Sequence, residues 1–345
     1  MITLWFNHTF SSVYNICQSL REGERRHGFP DRLRILLSHE NPQFVARPLA
    51  DEFFLEPQAL EPDAYVDWCL ATCRHWGVDL FWPARGARAL AARKEEFSAL
   101  SARLLVCAEP EVLDILNDKA AFYAQLAQSG LNLPRYQEVR GLTELTQAVE
   151  ALAASGRRVC FKPPKSIYGL GFKILEKSGN LLAAYLGGAP HKTTLEEARA
   201  KLGSVPPEEF PRLLVMELLP GPEYSLDCLA QAGRLLRAST RQKPQLPGRP
   251  EKLVRHEKAL AIAERLTEIF QLSHLFNLQL IDSPEGLKLL EINPRMAGGL
   301  YFSCLAGINY PYWALRLALG ADEALLPDQV YDLFVNQAYQ PFIYE

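Results

Sequence analysis

One stretch of the sequence, FNLQLIDSPEGLKLLEINPR at 276–295, has few ways to fold: it predicts two apolar strands joined by a Pro-Glu-Gly turn. With the glycine in the left-handed position of a three-residue loop, a common hairpin type, Gln279 lies opposite Glu291 on the same face. A four-residue loop would instead put these two side chains on opposite faces. Glu291, Asn293 and Arg295 alternate with apolar residues, so their side chains also share one face of the second strand.

The polar face of this hairpin has the chemistry of a metal and phosphate site. Carboxylate and amide oxygens suit Mg²⁺, which typically takes one or two carboxylates and completes its shell with phosphate oxygens and water. A guanidinium group adds a two-pronged donor for a phosphate. The alternative is a polar strand end that faces solvent.

Strands and helices alternate along the first hundred residues. ITLWF, LRILLSHE and VDLFWP predict strands, and VYNICQSLRE and DAYVDWCLATCRHWG have helical spacing. This alternation favours parallel βαβ units and an α/β domain. Cys69 and Cys73 are one helical turn apart in the second helix. We interpret them as helix packing because no second Cys or His pair at ligand spacing accompanies them.

The remainder of the chain has an α+β order. EVLDILNDKAAFYAQLAQSG at 111–130 predicts one helix that ends at a glycine, and RRVCFKP predicts a strand. YSLDCLAQAGRLLRASTRQK predicts two strands around a glycine turn, followed by a basic loop within STRQKPQLPGRPEKLVRH. Helices are expected at RHEKALAIAERLTEIFQL and YPYWALRLALG on either side of the hairpin.

Composition narrows the class of protein. The 345 residues are 48% hydrophobic and 22% charged, with a net charge of −3, which argues against a nucleic-acid binder that works through bulk charge. We expect no membrane span, because no apolar run approaches the ~20 residues required, and no signal peptide. Seven dispersed cysteines favour reduced thiols, so we expect a cytoplasmic protein.

The hairpin resembles the metal-binding hairpin of ATP-grasp enzymes, nearest to the carbamoyl-phosphate-synthetase and biotin-carboxylase pattern. The match consists of FNLQL, ten intervening residues, and the Glu-x-Asn-Pro-Arg order of EINPR. The resemblance implies that Gln279 and Glu291 bind one Mg²⁺ or Mn²⁺ ion, that Glu291 and Asn293 bind a second, and that Arg295 assists the phosphate.

Three further stretches are similar to the nucleotide site of this family: LNDKAAFYAQL, CFKPPKSIYGLGF and VMELLPGPEYSLD. The glycine loop departs from the family, since it carries Tyr168 and two glycines where relatives often have four or more. Taken alone, Lys162 can also extend its charge to solvent, and Asp227 is equally open to a structural role. The residues that the resemblance assigns to ATP are Lys119 and Lys162 for phosphates, Ser166, Gly169 and Gly171 in the phosphate loop, Glu217, Leu218 and Leu219 for adenine, and Glu223 for ribose.

The same resemblance implies an organisation into domains. A Rossmann-like preATP-grasp domain is expected over 1–105, followed by a two-subdomain ATP-grasp fold over 106–320. The small mobile B subdomain is expected at about 140–218, and 321–345 would form a C-terminal extension.

The implied activity is that of a ligase which activates a small carboxylate with ATP as an acyl phosphate. An amine or thiol then displaces phosphate. Arg241 and Lys243 are candidates to contact the acyl phosphate, and Arg255 to bind substrate, although a solvated basic loop is the alternative for each. Gly298 and Gly299 predict a close backbone approach to a substrate carboxylate at the head of a helix, or else merely a tight turn.

Two other functions share the nucleotide site. One is carboxylation like that of biotin carboxylase, and the other is a nucleotide-binding regulator that has lost turnover. The expected partners are a small-molecule carboxylate and an amine, with neither nucleic acid nor membrane. Whether the chain forms a homodimer is left open.

Overall fold

The computed structural model describes residues 1–165, 170–176, 191–246 and 248–338. They divide into two compact units, each built from segments that are discontinuous in sequence. The predicted B subdomain at 140–218 falls within the second unit, and the predicted limits at 105 and 320 stay predictions. The first unit contains 1–114, 222–279 and 292–345; the second contains 115–221 and 280–291.

A parallel five-stranded sheet opens the first unit, in the strand order β3-β2-β1-β4-β5. This confirms the predicted α/β beginning. Leu4, Trp5 and Phe6 are fully buried, because helices cover both faces of such a sheet. Its elements are β1 (Ile2–Asn7), α1 (Val13–His27), β2 (Leu33–His39), a 3₁₀ turn (Arg47–Leu49), β3 (Glu52–Leu55), α2 (Pro62–Trp76), β4 (Leu80–Pro83), α3 (Ala87–Ala92), α4 (Lys94–Ala99) and β5 (Arg103–Leu104).

Cys69 and Cys73 lie on the buried face of α2 and pack into the core, as predicted. All seven cysteines of the chain are free thiols. Burial raises the pKa of the Cys73 thiol to about 12. These side chains therefore act as small apolar groups rather than as ligands or nucleophiles.

The second unit is built on a mixed sheet with the order β6-β10-β7-β8-β9. Its core forms where α7 and α8 lay Leu145, Val149 and Ala198 against Val215 and neighbouring strand residues. The elements along this part of the chain are α5 (Pro110–Asn117), α6 (Lys119–Leu126), β6 (Tyr136–Val139), α7 (Leu142–Ala154), β7 (Val159–Lys162), β8 (Lys173–Glu176), β9 (Lys192–Thr194), α8 (Leu195–Leu202), a 3₁₀ turn (Pro207–Glu209) and β10 (Leu213–Glu217).

A six-stranded sheet has the order β15-β14-β11-β12-β13-β16. The prediction of a basic loop is wrong in part, because Glu251–Val254 forms a strand. Its backbone pairs with β12, where Arg241 lies opposite Leu253. The elements are β11 (Glu223–Gln231), β12 (Arg234–Gln242), β13 (Glu251–Val254), α9 (Glu257–Ile269), β14 (His274–Ile281), β15 (Lys288–Asn293), α10 (Leu300–Cys304), α11 (Tyr310–Ala318), a 3₁₀ turn (Glu323–Leu325) and β16 (Leu333–Val335).

Candidate active site

The position of Lys119 is set by a break between two helices. We predicted one helix over 111–130, but the chain forms α5 and then α6, separated by Asp118. The Asp118 carboxylate accepts hydrogen bonds from the N–H groups of Ala120 and Ala121, at 3.1 and 3.3 Å, and so caps α6. An Asp at this position gains more as a cap than inside a helix. Lys119 therefore becomes the first residue of α6.

Asp118 is held in its charged form. Burial alone would raise its pKa, but the capping N–H groups and the Arg212 guanidinium, 2.9 Å away, hold the pKa below its ordinary value. A charged cap fixes the start of α6 and with it the backbone of Lys119.

Lys119 and Glu291 form an ion pair in the second unit, with Nζ 3.0 Å from Oε2. The side chains are 10% and 22% exposed, so the pair is largely shielded from water. The Lys119 N–H also donates to the carbonyl of Pro164 at 3.0 Å, just past the end of β7, where Lys162 lies. A predicted phosphate contact and a predicted metal ligand are thus brought together.

Part of the predicted phosphate loop lies outside the described residues: Ser166 and Gly169 both fall there. Gly171 is described and has a φ of +79°. A Cβ added to it would lie 2.7 Å from Cδ of Pro163. Glycine is required at this end of the loop both for its backbone conformation and for space.

Glu217, at the end of β10, is a structural anchor. Its buried carboxylate accepts hydrogen bonds from Lys288, from Arg157 Nη1 at 2.6 Å and from the Arg135 N–H at 2.8 Å. The Leu218 N–H donates to the carbonyl of Arg158 at 2.7 Å. An adenine contact from Leu218 is therefore expected from its carbonyl group rather than from its N–H.

Sequence reasoning missed Lys288, which is 1% exposed. It begins β15 in the apolar run LKLL, and a buried ammonium group requires a partner. The same argument was applied to Lys162 and would have found Lys288. Its Nζ also donates a hydrogen bond to Glu285 Oε2 at 2.6 Å. This hydrogen bond is the largest cause, and the hydrogen bond from Arg157 the second, of a pKa of Glu285 that is lowered to about 2.

The predicted metal ligands lie on the hairpin strands. Gln279 is on β14, and Glu291 and Asn293 are two residues apart on β15; all three are half-buried. Gly286 has a φ of +96°, and its N–H donates to the Ser283 carbonyl at 2.9 Å, which gives the predicted turn with a left-handed glycine.

This donor set suits Mg²⁺ only if other oxygens complete the shell. Within the described ranges, no group of three or more His, Cys, Asp or Glu side chains is placed to hold a metal ion. Mg²⁺ is commonly bound by one or two carboxylates when phosphate oxygens and water supply the rest of its shell.

Arg241 lies in a closed, buried network of the first unit. It is 2% exposed, and its Nε donates to Asp227 Oδ2 at 2.9 Å. Nη2 donates to Ser225 Oγ at 3.2 Å, and Nη1 donates to Glu251. Burial alone would lower the pKa of Arg241, but Asp227 and Glu251 raise it. The guanidinium group has a structural role, and contact with an acyl phosphate would require it to exchange one of these acceptors.

Two further residues complete this network. Asn277 Nδ2 donates to Asp227 Oδ1 at 2.9 Å, and Ser303 Oγ donates to Asp227 Oδ2 at 2.6 Å. Sequence reasoning missed both. Asn277 is two residues before Gln279 on β14, so strand alternation already placed the two side chains on one face.

Gly299 is needed because Arg241 approaches it. A Cβ added to Gly299 would lie 2.5 Å from Arg241 Nη1, whereas one added to Gly298 would meet nothing within 4 Å. The helix that follows, α10, has only five residues. It therefore supplies a much weaker dipole for a carboxylate than the helix we expected.

The other predicted basic residues differ in setting. Lys243 is ion-paired with Glu223, the predicted ribose ligand. The Arg255 side chain is 64% exposed and is ion-paired with Glu257. Arg295 donates from Nη1 to the Met296 carbonyl at 3.0 Å, and its guanidinium carbon is 5.4 Å from the ring centre of Phe10.

Comparisons with known proteins agree with this fold. Residues 209–341 match a family described as an ATP-grasp in the biosynthetic pathway with Ter operon. The arginine-specific large chain of carbamoyl phosphate synthase from Eremothecium gossypii is 25% identical over 231 residues. That alignment covers 62% of this chain and 19% of the relative, so the match spans about one fifth of that protein.

Two solved structures illustrate the likeness of fold. The ADP complex of an N5-carboxyaminoimidazole ribonucleotide synthetase has a TM-score of 0.66 and 13% identity, over 96% of this chain and 79% of that one. An L-amino acid ligase from Bacillus licheniformis has a TM-score of 0.61 and 16% identity, over 93% and 74% of the two chains. These comparisons confirm the predicted ATP-grasp fold. Over the described residues, every helix is too short or too polar to cross a membrane.

Proposed function

We propose that this chain, whose fold is that of ATP-grasp enzymes, is an ATP-dependent ligase for a small carboxylate and an amine or thiol. A carboxylate oxygen of the substrate bonds to the γ-phosphorus of ATP, and the bond from that phosphorus to the β-γ bridging oxygen breaks to release ADP. The nucleophile then bonds to the acyl carbon, loses its proton, and displaces phosphate.

One observation carries the proposal: Lys119 and Glu291 meet at 3.0 Å. A cation for the nucleotide phosphates and a carboxylate for their metal ion must be adjacent, because the metal bridges phosphate oxygens and the protein. The ion pair supports this assignment, and nucleotide binding would then need only an exchange of partners between the two residues.

The nucleotide contacts follow from the same site. Lys119 and Lys162 would bind phosphate oxygens, and the loop with Ser166, Gly169 and Gly171 would offer backbone N–H groups. Glu217 would position the hinge, with adenine bound by the main chain of Leu218 and Leu219, and Glu223 would bind the ribose hydroxyls.

Glu291 would hold Mg²⁺ together with Gln279 on one side and Asn293 on the other, in two ion sites. Such ions neutralise the charge that develops on the transferred phosphoryl group. Without nucleotide the one carboxylate is engaged by Lys119, so the ions are expected to arrive with ATP.

Arg295 would assist the phosphate, and Gly298 and Gly299, which follow it in sequence, would approach the substrate carboxylate beside it. Arg241 and Lys243 are assigned to the acyl phosphate, and Arg255 to the second substrate. A direct role for Arg241 is supported less than a structural one, because Asp227, Ser225 and Glu251 already accept from it. Arg241→Ala should therefore lower both turnover and the free energy of unfolding.

Hydroxylamine tests this proposal, because it traps acyl phosphates as hydroxamates. A panel of small carboxylic acids with ATP, Mg²⁺ and hydroxylamine should give ADP and hydroxamate in equal amounts. Glu291→Gln should abolish both products, while Glu150→Gln, at an exposed position on α7, should leave them unchanged.

Three outcomes would contradict the proposal. ADP release that needs bicarbonate and gives no hydroxamate would favour carboxylation like that of biotin carboxylase. Nucleotide binding without turnover under any acid would favour a regulator. Wild-type rates in Glu291→Gln would remove the assigned metal site.

A further inference from the structure

The first unit contains a cavity at the carboxyl edge of its parallel sheet. The strand order reverses between β1 and β4, and the cavity lies there. Thr9 and Ser12, which follow β1, and Ala84 and Ala87, which follow β4, form part of its wall. In open α/β sheets, ligands bind beyond the carboxyl ends of the strands where the order reverses.

Apolar side chains dominate the wall. They include Val13, Ile16, Trp82 and Leu275, and the one charged residue among those described in the lining is Arg295. The cavity volume is about 40 Å³, and one water needs ~10–15 Å³ on the same measure. The space therefore accepts a short chain of about three or four carbons rather than a large ring system.

Arg295 is presented to this cavity as a cation. In the part of the chain that the structure describes, its contacts are with the Phe10 ring, the Met296 carbonyl and the Asn293 amide oxygen, none of them a carboxylate. A guanidinium group in an otherwise apolar wall favours an anionic ligand that carries an apolar tail.

The loop that follows β4 is tied to the end of β1 by Asn7, which is fully buried. Its Oδ1 accepts from the Ala84 N–H at 2.7 Å, and its Nδ2 donates to the Arg85 carbonyl at 3.0 Å. This part of the wall is thus ordered by the protein itself, and a ligand would not have to order it.

We propose that this cavity binds the side chain of the carboxylate substrate, and that this side chain is short and apolar. This inference rests on the proposed ligase function, because only that function makes the bound acid a substrate. The carboxylate lies at Arg295, and the tail contacts Trp82 and Val13. A charged tail is excluded because the described wall offers it no second ion-pairing group, and burying an unpaired charge is costly.

A series of straight-chain acids measures how the affinity of the cavity depends on the length of the apolar tail. Binding to the full chain is followed by ligand-observed NMR for acetate, propionate, butyrate, valerate and hexanoate, with succinate as the charged comparison. Each buried methylene should raise affinity about fourfold up to butyrate or valerate, and hexanoate should bind more weakly because the cavity is filled. Succinate should bind at least about tenfold more weakly than butyrate.

Ala87→Leu fills the cavity from the first residue of α3 and should weaken butyrate at least about tenfold while leaving acetate unchanged. Ala92→Leu is the matched control, because Ala92 lies on the same helix but is exposed. Affinities that do not depend on chain length, or that are equal in Ala87→Leu and Ala92→Leu, would overturn the inference, as would succinate binding as tightly as butyrate.

Failure of the ligase function is a separate result. Acids that bind with the predicted length dependence, yet yield neither ADP nor hydroxamate, would end the proposed function and leave the cavity as an apolar-acid site. Hydroxamate formed only from acids with charged tails would support the ligase function and overturn the assignment of the cavity to an apolar side chain.

Discussion

The ammonium group of Lys119 lies 3.0 Å from the carboxylate of Glu291, although the two residues are far apart in sequence. One begins α6 and the other lies on β15. Each was assigned separately from a different motif, so their contact supports the assignment of both to the proposed nucleotide site.

Lys119→Met should raise the KM for ATP at least about tenfold, because a hydrogen bond from a charged group is worth ~1.5–3 kcal/mol. The fold should remain, since Asp118 still caps α6. Lys94→Met, which removes an exposed lysine paired with Glu109, is the matched control and should leave the KM unchanged. Equal KM values in the two variants would remove Lys119 from the site.

Metal binding should require nucleotide. Manganese titrations followed by electron paramagnetic resonance should show weak binding to the protein alone and tight binding once ADP or a non-hydrolysable ATP analogue is added. The reason is that, in the proposed site, Glu291 would supply one carboxylate and Gln279 and Asn293 neutral oxygens, so that phosphates would have to complete the shell. Tight manganese binding without nucleotide would contradict this account.

The neighbouring glycines provide a matched pair of substitutions. Gly299→Ala should lower the free energy of unfolding by about 1–3 kcal/mol, because the added methyl overlaps the Arg241 guanidinium that Asp227 holds in place. Gly298→Ala should change it by less than about 0.5 kcal/mol. Urea unfolding measures both, and equal effects would show that Arg241 is free to move aside.

Low pH should lower the stability of the second unit through protonation of Glu285. Hydrogen bonds from Lys288 and then Arg157 lower its pKa to about 2 in the folded protein. A lowered pKa means that this stabilisation is complete above the ordinary glutamate pKa of ~4.3 and is lost as the pH falls towards about 2.

Glu285→Gln should therefore flatten the dependence of unfolding free energy on pH between about 4.5 and 2. The exposed Glu150→Gln serves as the comparison and should keep the wild-type slope. The effect is small at high salt, because the Glu285 side chain is 44% exposed. Identical slopes in all three proteins at low salt would exclude this origin.

Local patterns predicted much of the fold. Alternating strands and helices specified the parallel sheet, and the apolar hairpin with Gly286 specified its turn, because both depend on neighbours in sequence. Lys119 and Glu291 were proposed as site residues because each lies in a recognisable motif.

The remaining features depend on contacts between distant segments. The strand at Glu251–Val254 forms because β12 and β16 pair with it, which its own basic and proline-rich surroundings do not indicate. Arg241 is buried against Asp227 from the adjacent strand, and Asp227 also accepts a hydrogen bond from Ser303 of α10. Strand alternation predicts the face on which Asn277 lies, and the cost of burying an ammonium group predicts that Lys288 has a partner. The identities of these partners are not predictable from the sequence.

The most direct test of the ligase account is transfer of oxygen from the carboxylate to phosphate. The acid that gives the fastest ADP release is labelled with ¹⁸O in both carboxyl oxygens, and the phosphate released in the presence of an amine is analysed by mass spectrometry. An acyl phosphate intermediate requires that each phosphate contain one ¹⁸O atom from the acid. Phosphate without the label, formed at the same rate as ADP, would show that water attacks ATP directly and would contradict the account.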